Sequence, residues 1–251
     1  MNTDALIAEA RKHVSAMPSV ETRERLNREI RRIDFTIDRD IVFWSHLCCQ
    51  VDDPDPFNGY IAHWKAMVDK FHGADRCARV VTRQNGVDMY RRAMLMTAFV
   101  CSPAFTAPTV FMDADAFPNA DLRKGFSDVK DIGMTVREID GLMPVNEGVI
   151  FAKPTDATRA FFLAYLATYD NLAKMLQPKD WAWWGGQLSL CALADGAVGA
   201  SAWPLACDHW NFAPDTEEDL TPAVLDTKAV IHMKGARKEH FARIQAYQRA
   251  R

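Results

Sequence analysis

An apolar segment ends directly at two aspartates in the sequence TVFMDADAF, residues 109–117. Asp113 and Asp115 lie two residues apart on a chain that leaves a predicted strand, so both carboxylates can turn toward one divalent cation. Hard oxygen ligands suit Mg²⁺ or Mn²⁺, and such an ion keeps positions open for the oxygens of a diphosphate. It can then stabilise the negative charge on a departing phosphate. On these residues alone, a strand followed by turn-forming aspartates stays an open alternative.

The Asp-x-Asp pattern carries little information without its context. The chain contains two further pairs, Asp38/Asp40 and Asp53/Asp55, and chance alone produces such matches. Only the pair at 113 and 115 follows a buried strand within a series of alternating strands and helices. Its position therefore favours a metal site.

A second candidate segment, VIHMKGARK, lies near the C-terminal end at residues 230–238. His232 can supply a nitrogen ligand, which favours Mn²⁺ somewhat over Mg²⁺. Gly235 allows the backbone to approach a phosphate closely, and Lys234, Arg237 and Lys238 supply positive charge beside it. A lone histidine at a strand end is more often structural, but histidine, glycine and lysine at this spacing, downstream of paired aspartates, form a rarer combination.

The segments that must position these residues alternate between strand and helix. Strands are predicted at residues 41–48, 76–82 and 109–113, with helices at 57–73 and 86–100 between them. Short connections of this kind imply parallel strands joined by right-handed crossovers, and ligands gather at the carboxyl ends of such strands. Further strands are predicted at 131–138 and 146–153, and further helices at 155–176 and 181–196. Residues 229–238 are predicted to form a short strand that runs into a basic turn and is followed by a terminal helix. Residues 212–222 read as an acidic surface loop.

The N-terminal segment differs in composition from the rest of the chain. Apolar residues at helical spacing predict two helices within residues 3–33, interrupted near residues 17–19. The second of them carries five arginines balanced by glutamates, which is typical of a solvated face. We therefore divide the chain into a helical extension, residues 1–38, and an α/β domain, residues 39–251.

Composition limits the classes of function. Lys and Arg number 30 against 33 Asp and Glu, a formal net charge of −3, which does not suggest a nucleic-acid-binding protein. The six cysteines contain no C-x-x-C pair and are expected to be reduced thiols of a cytoplasmic protein. No apolar run is long enough to predict a membrane-spanning helix.

Four motifs in this order resemble those of glycosyltransferases with the GT-A fold, closest to the retaining, glycogenin-like and lipopolysaccharide galactosyltransferase-like group. FMDADAF resembles the strand and Asp-x-Asp motif that binds Mn²⁺ and the donor diphosphate. NEGVIFAK resembles the strand that places Asn146 and Gly148 near the donor sugar. WGGQLSL resembles a D-Q-x-x-L helix start in which Gln187 matches the glutamine.

The last motif, HMKGARK, resembles H-x-x-G-x-x-K. By this resemblance His232 is the third metal ligand, Gly235 lies beside the diphosphate and Lys238 binds the phosphates. Arg92 matches a basic residue that the family uses on the donor. Two departures are present: Gly186 stands where the family usually has an aspartate, and Glu239-His240 replaces a common Pro-Trp pair.

The resemblance implies a GT-A type, Rossmann-like mixed sheet flanked by helices, with Mn²⁺ or Mg²⁺ held by Asp113, Asp115 and His232. It implies a UDP- or GDP-sugar donor bound by Arg92, Asp113, Asn146, Gly148, Gly235 and Lys238. An inverting enzyme needs an Asp or Glu as base, and the WGGQ turn offers none. We therefore expect transfer with retention, with Gln187 or Glu147 near the anomeric carbon.

Several alternatives stay open. A haloacid-dehalogenase-like phosphatase also begins with a strand and Asp-x-Asp, with Asp113 as nucleophile, although Phe117 replaces its usual Thr or Val. A catalytically silent sugar-nucleotide-binding protein has the same motifs. Trp181, Trp183 and Trp184 can form a platform for a sugar or simply pack in the core. The acceptor can be a saccharide, a protein, a lipid-linked glycan or modified nucleic acid, and the sequence does not indicate an oligomeric state.

Overall fold

The computed structural model describes residues 3–33, 38–49, 59–83, 89–138, 143–196 and 198–251, with the backbone alone for residues 47–49, 79–83 and 236–238. The described strands are β1 (Val42–Cys49), β2 (Cys77–Arg83), β3 (Thr109–Asp113), β4 (Ala116–Pro118), β5 (Ile132–Val136), β6 (Val145–Ala152), β7 (Ala202–Ala206) and β8 (Val230–His232). The described helices are α1 (Thr3–Arg11), α2 (Val20–Ile30), α3 (Tyr60–His72), α4 (Met89–Cys101), α5 (Asp156–Leu172), α6 (Pro178–Leu193), α7 (Cys207–Trp210), α8 (Pro222–Leu225) and α9 (Phe241–Ala250).

Six strands form one mixed sheet in the order β2-β1-β3-β6-β5-β7. Strand β1 is parallel to both β2 and β3, as the alternating strand–helix pattern predicts. Strand β6 runs antiparallel to β3 and β5, and β7 is parallel to β5. A separate antiparallel pair joins β4 to β8. The expected mixed α/β sheet flanked by helices is thereby confirmed.

Hydrophobic cores cover both faces of the sheet. Along β3, Phe111 faces a core shared with α4, α5 and α6, whereas Val110 and Met112 face a second core shared with α3, β8 and α9. Alternate side chains of a strand point to opposite faces, so a strand buried on both sides needs an unbroken apolar run. This burial is the reason that TVFM precedes the aspartates.

Two strands were missed from the sequence. Strand β4 has three residues and ends in proline, so it is too short for a periodic signal. Strand β7 contains Pro204 and leaves Trp203 exposed at the sheet edge, where proline is tolerated but apolar alternation is lost. The predicted acidic surface loop at 212–222 contains a short 3-10 turn, Glu218–Leu220, with Leu220 buried.

The two N-terminal helices lie at the predicted positions and pack into the main core. Ile7, Ala10 and Leu26 belong to the same hydrophobic cluster as α4, α5 and α6. On the polar side, Glu29 of α2 forms a 3.0 Å ion pair with Arg91 of α4. The division of the chain near residue 38 stays a prediction. Within the described part of the chain, every helix is too short or too polar to span a lipid bilayer.

If α2 is part of the folded core, Leu26→Ala should lower the free energy of unfolding by about 2–4 kcal/mol, because the side chain is 3% exposed and its removal leaves a cavity. Urea denaturation measures the change. Val20→Ala on the same helix is the control, since Val20 is 64% exposed and its truncation should change stability by less than about 0.5 kcal/mol. Equal stabilities of the two variants would contradict the packing described.

Candidate metal centre

The three predicted metal ligands are brought together by two different pairs of strands. Asp113 is the last residue of β3, at the carboxyl end of a central strand. The β4–β8 ladder pairs Ala116 with His232, and the Met233 amide donates a 2.8 Å hydrogen bond to the carbonyl of Asp115. Side chains that are 117 residues apart in sequence, Asp115 and His232, therefore lie side by side.

The ligand atoms have a spacing that suits one small cation. His232 Nε2 lies 3.1 Å from Asp115 Oδ1 and 3.5 Å from Asp113 Oδ2, and all three ligand atoms lie within 4.8 Å of one another. Neighbouring ligands of an octahedral ion with metal–oxygen distances near 2.1 Å are about 3 Å apart. In the described ranges, this is the one group of three such side chains that could hold a metal ion. Donor types and distances fit Mn²⁺ or Mg²⁺.

Gly148 leaves the space that the His232 ring occupies. A Cβ atom at position 148 would lie 2.5 Å from His232 Cε1, 2.7 Å from its Nδ1 and 3.1 Å from Asp113 Oδ2. The β5–β6 ladder pairs Met134 with Ile150 and Thr135 with Asn146, so residues 147–149 form a bulge on β6. Bulges commonly re-aim side chains beside active sites. Here the bulge presents Glu147 and Gly148 to the metal cluster.

Asn146 lies at the start of this bulge and is largely occupied by local contacts. Its Oδ1 accepts a 3.1 Å hydrogen bond from the Gly148 amide, and its Nδ2 lies 3.7 Å from Cys207 Sγ. Asn146 thus holds the bulge in shape. Its contact with a donor sugar stays a prediction.

Arg92 of α4 places a buried positive charge between two carboxylates. One guanidinium nitrogen lies 3.1 Å from Asp113 Oδ1 and donates a 3.1 Å hydrogen bond to the Glu147 carbonyl. The other lies 3.8 Å from Glu147 Oε1. Burial lowers the pKa of Arg92, but Asp113 and Glu147 raise it by more, so the net shift is upward. The structure places Arg92 in contact with a candidate ligand, Asp113. Its contact with the donor stays a prediction.

Glu147 is buried beside this arginine and has a strongly perturbed acidity. Burial raises the pKa of its carboxyl to about 7. Arg92 opposes this rise, the Asp113 carboxylate adds to it, and the nearby Tyr165 hydroxyl and Lys234 ammonium lower it. A carboxyl with a pKa near 7 can hold or release a proton close to neutral pH. The group is thus a candidate for proton transfer at the site.

The helix α6 packs against Glu147 through Gly186. A Cβ atom at position 186 would lie 2.5 Å from Glu147 Oε2 and 2.9 Å from the Tyr165 hydroxyl. An aspartate, the usual family residue here, cannot fit without displacing Glu147. Gln187 follows directly, and its Nε2 is buried with no hydrogen-bond partner among the described residues. The structure therefore places Gln187 beside the contact between Gly186 and Glu147, where its side-chain amide can donate a hydrogen bond.

The basic residues after β8 are placed only in part. Gly235 begins a 3-10 turn, Gly235–His240, with φ of +53°, a left-handed conformation that favours glycine. Lys238 lies in that turn, but its side chain is outside the described ones, so its phosphate contact stays a prediction. Burial lowers the pKa of the Lys234 ammonium, and the Asp113 carboxylate opposes the shift. The Lys234 backbone amide donates a 3.1 Å hydrogen bond to the His232 carbonyl, so Lys234 lies beside the cluster.

The tryptophans of α6 are placed differently from one another. The Trp181 indole donates a 2.8 Å hydrogen bond to the Tyr169 carbonyl and packs against Tyr90. Trp183 and Trp184 are exposed. Trp181 therefore packs against its neighbours in the structure. A sugar-binding platform formed by Trp183 and Trp184 stays a prediction.

Asn211 was missed from the sequence, although it contacts a predicted ligand. Its Oδ1 lies 2.7 Å from His232 Nδ1, and both side chains are buried. Asn211 follows the four-residue helix α7 in a segment with no recognisable motif. A buried polar partner for the second nitrogen of a metal-binding histidine is nevertheless a general expectation.

Comparison with solved structures identifies glycosyltransferases. The chain aligns with a glycosyltransferase involved in the glycosylation of the major capsid of PBCV-1, at a TM-score of 0.56 and 15% identity, over 81% of this chain and 99% of that one. It aligns with galactosyltransferase LgtC, solved with donor and acceptor sugar analogues, at 0.50 and 13%, over 83% and 96%. It aligns with glycosyltransferase GlyE of Streptococcus pneumoniae at 0.50 and 10%, over 84% and 60%.

Comparison of the sequence with protein-family models and with curated proteins finds no match. At identities of 15% or less, the structural likeness establishes the fold. That fold is the GT-A type, as the four motifs predicted.

Gly148→Ala should weaken Mn²⁺ binding by about 10–100-fold, because the new methyl group displaces the His232 ring from the cluster. Titration of the protein into Mn²⁺, followed by electron paramagnetic resonance of the free ion, measures the affinity. Gly125→Ala is a matched control: its methyl group would meet the Phe151 ring at 2.4 Å, also a buried clash but away from the cluster. Comparable losses of affinity in both variants would contradict a specific role for Gly148.

Glu147→Gln should stabilise the metal-free protein at pH 8 relative to pH 5. The folded carboxyl, with a pKa of about 7 against 4.5 in the unfolded chain, retains a proton that the unfolded chain releases. Its contribution to the free energy of unfolding is therefore present below pH 4.5 and is lost as the pH rises through about 7. Glutamine stays neutral, so the stability difference between variant and wild type should shift in favour of the variant by roughly 1–3 kcal/mol.

Urea denaturation in the presence of a chelator, at both pH values, measures this shift. Glu24→Gln on the exposed face of α2 is the control and should show no such change. A wild-type-minus-variant difference that is the same at pH 5 and pH 8 would contradict the raised pKa.

Proposed function

We propose that this chain transfers a sugar from a nucleotide-diphosphate donor to an acceptor, and that it needs Mn²⁺ or Mg²⁺ to do so. The observation that carries the proposal is the cluster of Asp113, Asp115 and His232 at the carboxyl end of β3. This is the edge at which α/β sheets bind ligands. The glycosyltransferase fold of the solved neighbours supports the same reading.

Each residue of the cluster has a separate task in this proposal. Asp113, Asp115 and His232 hold the cation, which when bound supplies positive charge for the donor diphosphate and its departure. Arg92 neutralises Asp113 from the side that faces the protein, because its guanidinium is buried at 3.1 Å from Oδ1. Lys238, and the backbone at Gly235, lie in the turn that would meet the phosphate oxygens.

We expect transfer with retention of configuration. An inverting transferase needs a carboxylate base behind the acceptor hydroxyl. On α6 the position before Gln187 is glycine, and Glu147 below it is buried and paired with Arg92. The Gln187 amide nitrogen, which has no hydrogen-bond partner in the described part of the chain, would donate to a sugar hydroxyl or to the acceptor. Glu147, whose pKa is about 7, would accept or release a proton at the site near neutral pH.

The donor is a UDP- or GDP-sugar in this proposal, and the acceptor is a saccharide. LgtC, to which the fold is similar, was solved with donor and acceptor sugar analogues, which favours a saccharide over a protein, a lipid-linked glycan or modified nucleic acid. Among the described residues, Cys101, Cys191 and Cys207 form no disulfide, which supports a cytoplasmic enzyme.

A dehalogenase-type phosphatase is disfavoured by the surroundings of Asp113. Its Oδ1 is paired with Arg92 and its Oδ2 faces His232 Nε2 at 3.5 Å, so both oxygens are oriented toward other groups of the candidate metal cluster. A silent sugar-nucleotide binder would have the same cluster and would differ only in turnover.

Asp115→Asn should lower Mn²⁺-dependent hydrolysis of the cognate nucleotide-sugar by roughly 100-fold, because an amide replaces an anionic ligand. The donor is first identified as the UDP- or GDP-sugar that raises the melting temperature in the presence of Mn²⁺, and hydrolysis is then followed by released nucleotide diphosphate. Asp40→Asn is the control: it belongs to another Asp-x-Asp pair, and its carboxylate binds Arg76 and Arg123 on the surface.

Full activity of the Asp115 variant would contradict the metal assignment. Turnover of phosphomonoesters in place of nucleotide-sugars would favour the phosphatase. Donor binding without turnover by the wild-type protein would favour the silent binder.

A further inference from the structure

The geometry points to Asn211 as a positioning residue that fixes the proton of His232 on Nδ1 and leaves the Nε2 lone pair facing the two aspartates. The inference rests on the proposed metal site. It adds a buried hydrogen-bond chain, from the backbone of β6 through Thr135 and Asn211 to the imidazole, that determines the histidine's tautomer before any ion arrives.

The backbone places Asn211 beside His232. The backbone N–H of Asn211 donates a 2.9 Å hydrogen bond to the Cys207 carbonyl at the end of α7. The next residue, Phe212, forms a parallel bridge with Ile231, and the His232 amide donates a 2.7 Å hydrogen bond to the Phe212 carbonyl. Asn211 and His232 thus lie on neighbouring extended segments, with their side chains in hydrogen-bond contact.

The donor-to-acceptor direction of these hydrogen bonds follows from one backbone carbonyl. The carbonyl of Asn146 can only accept, and Thr135 Oγ1 lies 2.7 Å from it, so the Thr135 hydroxyl donates its proton there. The Val149 carbonyl, 3.3 Å from the same oxygen, is also only an acceptor. Thr135 Oγ1 has no second proton and must therefore accept from its remaining partner.

That partner is Asn211, whose Nδ2 lies 3.0 Å from Thr135 Oγ1. With the amide nitrogen directed at Thr135, the amide oxygen is the atom that lies 2.7 Å from His232 Nδ1. An amide oxygen only accepts, so Nδ1 carries the proton. In the neutral ring Nε2 is then unprotonated, 3.1 Å from Asp115 Oδ1 and 3.5 Å from Asp113 Oδ2.

Three hydrogen-bond acceptors, His232 Nε2 and one carboxylate oxygen each of Asp113 and Asp115, therefore face one another at the cluster. A lone pair that faces carboxylate oxygens at these distances is unfavourable unless a cation lies between them. Thr135, Asn146, Asn211 and His232 are all buried, so water does not compete for the hydrogen bonds. The chain therefore holds the imidazole in the form that binds metal, at the orientation that the carboxylates require.

The tautomer is tested without metal. Long-range ¹H–¹⁵N correlation spectra at pH 8 in the presence of chelator distinguish a protonated from an unprotonated ring nitrogen, and His232→Gln assigns the signals. We expect a protonated Nδ1 and an unprotonated Nε2 in wild-type protein. In Asn211→Leu, which keeps the branched shape of the side chain but removes both hydrogen bonds, we expect signals averaged between the tautomers. A wild-type His232 protonated on Nε2 overturns the inference.

The second measurement is Mn²⁺ affinity by electron paramagnetic resonance. Asn211→Leu should bind about 10–100-fold more weakly, whereas Asn211→Asp, which keeps an acceptor for Nδ1, should bind within several-fold of wild type. Thr158→Val is the control for loss of a buried hydroxyl far from the cluster, since its Oγ1 donates to the Asp131 carbonyl. Wild-type affinity in Asn211→Leu overturns the inference.

If Asn211→Leu does not fold, Thr135→Val replaces it, because that change leaves the amide of Asn211 free to turn and should mix the two tautomers in the spectra. A single protonated Nδ1 in Thr135→Val would overturn the relay. Should wild-type protein bind no Mn²⁺, the proposed function fails, and the metal-free spectra still decide the tautomer.

Discussion

Three carboxylates, those of Asp113, Asp115 and Glu147, converge at one edge of the sheet, and their mutual repulsion must be offset inside the fold. The buried guanidinium of Arg92 does this, 3.1 Å from Asp113 and 3.8 Å from Glu147. Like charges held close together raise carboxyl pKa values unless a cation stands between them. The adjacent residue of α4, Arg91, pairs with Glu29 of α2, so the helix that carries Arg92 is also tied to the N-terminal helices.

The central part of the fold could be predicted because burial on both faces demands long apolar runs. Strands β1, β2, β3 and β6 and helices α3, α4 and α5 lie close to where the sequence predicts them. Strands β4 and β7 could not be found, since three residues give no period and Pro204 interrupts the other. The family resemblance implied a mixed sheet, but the antiparallel direction of β6 could not be predicted, because hydrophobic patterns do not encode strand direction.

The residues of the candidate site could likewise be predicted only in part. Asp113, Asp115 and His232 could be predicted because ligand chemistry restricts residue type and the family motifs fix their order. Asn211 could not, because a single asparagine after a short helix becomes meaningful only when folding sets it against an imidazole. Gly186 was visible as a departure from the family, and its reason is steric: Glu147 Oε2 occupies the space that a side chain would need.

The ladder between β4 and β8 joins segments that are far apart in sequence: it pairs Ala116 with His232. Contacts between such distant segments form late in folding, because the chain must first lose the entropy of closing a long loop. Strand β3, which ends at Asp113, can pair with β1 and pack against the crossover helices before β8 arrives. An incompletely folded molecule would then hold two carboxylates without the imidazole, so affinity for a divalent ion would report whether the last segment has docked.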